Sequence, residues 1–276
     1  MNINYISTMD ESFASYRYRM LIPGHEMEIH GHKVHYSRFF KSGTDSVVFS
    51  KHFNYGDLDV ALLCLEAGQK VVFDVCDNHF STSHRAHYVA MAKMADVVTV
   101  ATSELADVVF ENTGKAAVVI SDPYELPEIK PVPPTMDGKA KLLWFGHSSN
   151  IDSLMKIWNE LEGNLVQIIT SPEAEKVLKR PVVTWSIENM KRGMKEADAI
   201  IIPSTGKSYK RGKSPNRMVE AIRQGKFVIA NPIPAYEQFK EWMCIGEIRE
   251  GIEWLKKNVN EVPDRIIAAQ EYVREN

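Results

Sequence analysis

Short apolar runs recur along the chain, separated by stretches with helical spacing. In the first half, SVVFS at 46–50 and KVVFDV at 70–75 predict strands, as do 2–7, 33–36, 96–100 and 117–120. Helices are predicted over 12–21, where Pro23-Gly24 breaks the pattern, and over 57–67, 81–94 and 104–112. Strands that are apolar on both sides and alternate with helices imply a parallel sheet covered on both faces.

The pattern stops at 121–141, which carries five prolines and no apolar periodicity. Such a stretch reads as an interdomain linker, with its centre at 126–140. A second βα series follows. Strands are expected at 141–145, 166–170, 182–185, 199–202 and 227–230, with helices between them and at 236–242, 248–257 and 263–274. The chain is therefore expected to hold two Rossmann-like domains, 1–125 and 141–276, with a cleft between them. The last helix is free to pack back on the N-terminal domain. ADVVTVATS at 95 and ADAIIIPST at 197 echo each other across the two series.

Composition narrows the class. With 276 residues, 44% apolar, the chain can bury a sizeable core. A net charge of −3 argues against non-specific nucleic-acid binding. Cys64, Cys76 and Cys244 are odd in number and far apart, which suits a reducing compartment. No leader-like start and no apolar run of membrane-spanning length is visible. The expected location is cytoplasmic, and a peripheral membrane contact stays open.

The stretch with most chemical content is KSPNRMVEAIRQGKFVIA, from Lys213 to Ala230. Ser214 is suited to cap a helix, Pro215 to begin it and Gly225 to end it. A helix N-terminus exposes N–H groups at its positive end and can hold an anion. Lys207, Lys210, Arg211, Lys213 and Arg217 gather cations around that point. The charges alone better describe a solvated basic loop; the whole string does not. Glu220, further along the helix, can accept from sugar hydroxyls.

This stretch resembles the donor-binding segment of retaining GT-B glycosyltransferases, family 4 in particular. The resemblance implies an α/β GT-B fold and transfer of a sugar from a nucleotide-diphosphate sugar to an acceptor hydroxyl, in the hexosyltransferase class. The acceptor would be a glycan, lipid or small molecule. The resemblance also implies retention of configuration with no metal and no further cofactor. Glu220 would then hold the ribose. Lys207, Lys213, Ser214, Asn216 and Arg217 would hold the diphosphate. Gly146, His147 and Ser148 would form a second donor-facing loop, with Trp185 near the base. Gly212 stands where the family usually has another Glu.

In the first half, SYRYR places Arg17 and Arg19 as candidates for phosphate, and FDVCDNHF places Asp77 and His79 as candidates to orient or deprotonate the acceptor. Asp77 is equally suited to cap the helix that follows. Three other readings remain, a non-catalytic nucleotide- or sugar-binding module of the same fold, a nucleotide-sugar epimerase, and a flavodoxin-like regulator or adaptor, against which the linker and the two βα series count.

Overall fold

The computed structural model describes residues 1–51, 56–206 and 212–276. Two units divide it, Met1–Glu125 with 212–214, and Leu126–Gly206 with Pro215–Asn276.

The first unit holds β1 (Asn2–Ile6), β2 (Lys33–Ser37), β3 (Ser46–Ser50), β4 (Lys70–Val75), β5 (Val97–Val100) and β6 (Val118–Val119). They form one parallel sheet in the order β2-β1-β3-β4-β5-β6. The order reverses between β1 and β3. Val47, Phe49, Val71, Phe73 and Val98 form its buried centre, covered in part by the helices Arg85–Met94 and Ser103–Thr113.

Pro23 and Gly24 do not break the first helix. A π-helical turn, Arg17–Leu21, runs directly into the α-helix Ile22–Ile29. Pro23 falls in the first turn after the hydrogen-bond ladder changes register, where its missing N–H is tolerated. Gly24 is needed because a Cβ there would come within 2.1 Å of the Tyr36 hydroxyl.

The second unit holds β7 (Lys141–Phe145), β8 (Leu165–Thr170), β9 (Val183–Thr184), β10 (Ala199–Ile202), β11 (Phe227–Ala230) and β12 (Cys244–Ile245). Their order is β12-β11-β10-β7-β8-β9, again parallel. This is the doubly wound order of dinucleotide-binding folds, reversing between β7 and β10. β12 was not expected, because two residues leave no periodicity to read.

The sequence echo has a structural cause. Asp96 precedes β5, takes Val71 N–H on its carboxylate at 2.9 Å and gives its own N–H to Val71 O at 2.8 Å. Asp198 precedes β10 and does the same with Lys141, at 2.7 Å both ways. Asp45, before β3, repeats it with Asn2 at 2.7 Å both ways. Each aspartate clamps the start of its own strand to the start of a neighbour.

The 126–140 stretch is not a free linker but part of the second unit. Its backbone is held by side chains of two helices, Asn216–Arg223 and Val262–Glu275. Arg223 donates to Leu126 O at 3.3 Å, Gln224 to Pro127 O at 2.6 Å, and Gln270 to Ile129 O at 2.9 Å. Prolines remove donors but leave carbonyls, and these carbonyls are what the side chains seize. Gly225, with φ +66°, ends the helix in a Schellman motif, Lys226 N–H to Ala221 O and Gly225 N–H to Ile222 O, both 2.9 Å. A Cβ at 225 would press on Ile129 O at 2.9 Å. Val262, Ile266 and Ala269 of the final helix join the core of the second unit.

Candidate functional site

In a doubly wound sheet, ligands bind beyond the carboxyl ends of the strands where the order reverses. In the second unit that place is the end of β7. There the chain runs Phe145-Gly146-His147. Arg217, from the first turn of Asn216–Arg223, donates through Nη1 to Phe145 O at 3.4 Å. A Cβ on residue 146 would lie 3.3 Å from the same Nη1. Arg217 also hydrogen-bonds the buried Tyr236, whose phenol burial pushes up while the guanidinium pulls it down. A backbone carbonyl and a phenol thus fix one cation above a glycine at the reversal point.

Other expected donor residues fall nearby on the chain. His147 caps the short turn Ser148–Asn150, its Nδ1 accepting from Ser149 N–H at 3.2 Å. Trp185 follows β9, two strands from β7 along the sheet, and packs partly against the core. Asn216 turns its side-chain oxygen onto Arg217 N–H at 2.7 Å. Met218 and Val219 give their N–H groups to Pro215 O at 2.8 and 3.0 Å. The first turn of the helix is therefore largely satisfied from within the protein.

Two expectations need correction. Ser214 does not cap the helix, which starts at Asn216; its hydroxyl bonds Asp122 instead. Glu220 is only 2% exposed, and its Oε2 accepts from Leu126 N–H at 3.3 Å. Its carboxylate faces inward and secures the start of the 126–140 stretch, because the helix turns its apolar side and Glu220 together into the core. Gly212 has φ +83° and no room for a side chain, since a Cβ would meet Leu105 Cβ at 2.9 Å. Lys207, Lys210 and Arg211 lie outside the described residues.

In the first unit the carboxyl ends of β3 and β4 gather charge. Asp74 accepts from Arg19 Nη2 at 2.7 Å, Thr99 at 2.8 Å, Ser50 at 3.0 Å and Cys76 at 3.3 Å. Arg19 also reaches Asp122 at 3.1 Å. Arg17 pairs bidentately with Glu125 at 2.7 and 3.0 Å. Both arginines are buried on carboxylates, which corrects their expected role toward phosphate. Glu125 and Asp122 lie over a hundred residues away in sequence and Asp74 lies 55 away, so no local signal marks the pairing.

Asp77 follows β4 and accepts from both Lys51 and Lys213. Burial alone would raise its pKa, but the two ammonium groups reverse this and hold the carboxyl far below its usual range. Asp77 is thus a saturated anion and a poor proton acceptor. His79 is pushed down to about 4, first by burial and then by Lys51, His84 and Lys213, with Asp77 opposing. It is a neutral imidazole at pH 7. Lys51 was missed by the sequence reading, although it follows SVVFS directly; it holds φ +57°, a left-handed conformation unusual outside glycine. Tyr236 was missed as well, being read only as part of a helix. Among the described residues, no cluster of His, Cys, Asp and Glu is arranged to hold a metal. No described helix is long and apolar enough to cross a membrane.

No protein-family model matches the chain, and no curated protein matches it. Solved structures do match. TarM superposes with a TM-score of 0.61 at 14% identity, covering 84% of this chain and 51% of TarM. The fold is GT-B. The lipopolysaccharide outer core galactosyltransferase WaaB matches with a TM-score of 0.53 at 13% identity, over 97% of this chain and 95% of WaaB. A trehalose-phosphate synthase from Burkholderia vietnamiensis matches at 0.54 and 10% identity, over 98% of this chain and 77% of the synthase. The GT-B chain described here spans about half the length of TarM. A TarM variant from S. aureus was solved with fondaparinux, alpha-GlcNAc-glycerol and UDP.

Proposed function

We propose that this GT-B protein transfers a sugar from a nucleotide-diphosphate sugar to an acceptor hydroxyl. The observation that carries the proposal is Arg217, fixed over Gly146 at the strand reversal of the second unit. A bound diphosphate would meet the guanidinium there, with the helix N-terminus behind it. Charge grows on that diphosphate as the glycosidic bond breaks, and a preoriented cation stabilises it without reorganising. The diphosphate would displace the Asn216 side chain from Arg217 N–H. His147 and Ser148 line the neighbouring loop, and Trp185 offers an apolar surface to the base. Cationic side chains in the place of a metal, and retention of configuration, belong to this reading. Neutral His79 would accept a hydrogen bond from the acceptor, a glycan, lipid or small molecule.

The test is calorimetry and thermal shift with UDP-, GDP-, ADP- and CMP-linked sugars, since a ligand selective for the folded state raises its stability. One of them should bind, and Arg217→Ala should weaken that binding about tenfold or more. Binding that survives Arg217→Ala unchanged would sink the assignment.

One observation favours a second reading, a nucleotide-binding module without turnover. Gly212, in the left-handed region and crowded by Leu105, leaves no place for the carboxylate that the resemblance calls for, and Glu220 is turned inward. The two readings part on one measurement. A transferase releases nucleotide from its sugar over many turnovers, whereas a module binds the intact donor and releases nothing.

A further inference from the structure

Between β2 and β3 the first unit carries the loop Arg38-Phe39-Phe40-Lys41. It stands at the carboxyl end of edge strand β2. Phe39 is 78% exposed and Phe40 38%. The backbone beneath the rings is fastened at two points. Phe39 O accepts from Ser37 Oγ at 2.6 Å and from Asn4 Nδ2, in the buried strand β1, at 3.4 Å. Lys41 O accepts from Thr44 Oγ1 at 3.2 Å and from the buried Gln69 amide at 3.3 Å. Buried side chains therefore hold the loop outward, and it does not fold its rings into the core.

We infer that this loop is a docking tip for an anionic lipid surface. Two phenyl rings at these exposures offer roughly 230 Å² of apolar area, taking ~200 Å² for each ring. A stable protein partner covers roughly 800 Å² on each side, several times more than the tip provides. A bilayer interface suits it better. The rings enter the acyl boundary while Arg38 and Lys41 meet lipid phosphates from either side. Asp10 lies close enough to Arg38 to feel its charge, and Lys41 Nζ stands 3.1 Å from His35 Nδ1. The attraction is thus modest and needs the rings as well as the cations. The inference stands apart from the transferase reading, because vesicle binding requires neither donor nor acceptor.

The test uses the full chain and vesicles of phosphatidylcholine, alone or mixed equally with phosphatidylglycerol. The protein should float with the mixed vesicles, less with the neutral ones, and less again in high salt. Phe39→Ser with Phe40→Ser should lower partitioning about tenfold or more. A second measurement covers any folding defect in that variant. Phe39→Trp should gain emission that brominated acyl chains quench, beyond the quenching seen with the unaltered chain. Failure of the unaltered chain to bind either vesicle would overturn the inference. So would undiminished binding by the double variant, or self-association lost in that variant, which would make the tip a contact between copies.

Discussion

Arg217 Nη1 stands 3.3 Å from the point where a side chain on residue 146 would begin. Gly146 is there to let the guanidinium lie against the end of β7. Alanine at 146 crowds this cation, while the Trp144 ring, 3.6 Å away, stays in ordinary contact. Gly146→Ala should lower affinity for the bound nucleotide about tenfold, near 1.4 kcal/mol, and Gly146→Val more. Thermal melts should shift little for the alanine variant, because the crowding falls on the end of one side chain. A donor titration beside each melt separates the two effects.

The buried pair of Arg19 and Asp74 gives a sharper stability test. Their side chains are 5% and 4% exposed. Asp74→Ala leaves the buried Arg19 guanidinium with Asp122 as its remaining carboxylate, and leaves Thr99, Ser50 and Cys76 without a shared acceptor. Breaking a buried pair from one side costs about 3–5 kcal/mol. Urea unfolding should show a loss of that size. A loss below about 1 kcal/mol would mean that the pair is effectively solvated.

Acid should weaken the fold in two separate stages. His79 has a folded pKa of about 4 against 6.5 for the free side chain. The unfolded chain therefore binds more protons between those values. Stability is full above about 6.5 and falls as the pH drops toward 4. Asp77, held far below the ordinary carboxylate range, surrenders its contribution only at still lower pH. His79→Gln should flatten the first stage and leave the second. Urea midpoints from pH 7 down to about 2 for both proteins provide the comparison.

The strand-start aspartates should matter in proportion to their burial. Asp198 is 7% exposed, and the Asp96 side chain 28%. Hydrogen bonds to charged groups contribute about 1.5–3 kcal/mol, so Asp198→Ala should lose an amount in that range and Asp96→Ala less. Amide exchange at Lys141 and Val71 should quicken in the respective variants.

Glu220→Ala leaves Leu126 N–H without its acceptor. A loss of about 1–3 kcal/mol in stability is expected, with nucleotide affinity unchanged at a temperature where the variant is folded. A large affinity loss in a stable variant would restore the ribose role.

The strands were legible because they are continuous apolar runs. SVVFS, KVVFDV, KLLWF and FVIA appear in the sheets with the bounds their composition suggests. The site was legible only in part. Arg217 and Gly146 lie at positions that strand order makes important, and that order follows from a βα alternation visible in the residues. Arg17 and Arg19 were misread because Glu125 and Asp122 answer them from over a hundred positions away. The proline-rich stretch was misread for a related reason. Its prolines look the same in a free tether and in a strap, and only Arg223, Gln224 and Gln270 tell the two apart.

The aspartates before β3, β5 and β10 fasten these strands at their entry ends. Pairing alignment is thus decided before the chain reaches the opposite rim. Loops on that rim can lengthen, shorten or exchange residues without sliding one strand past another. Such a scaffold tolerates change at the rim while the sheet beneath keeps its alignment.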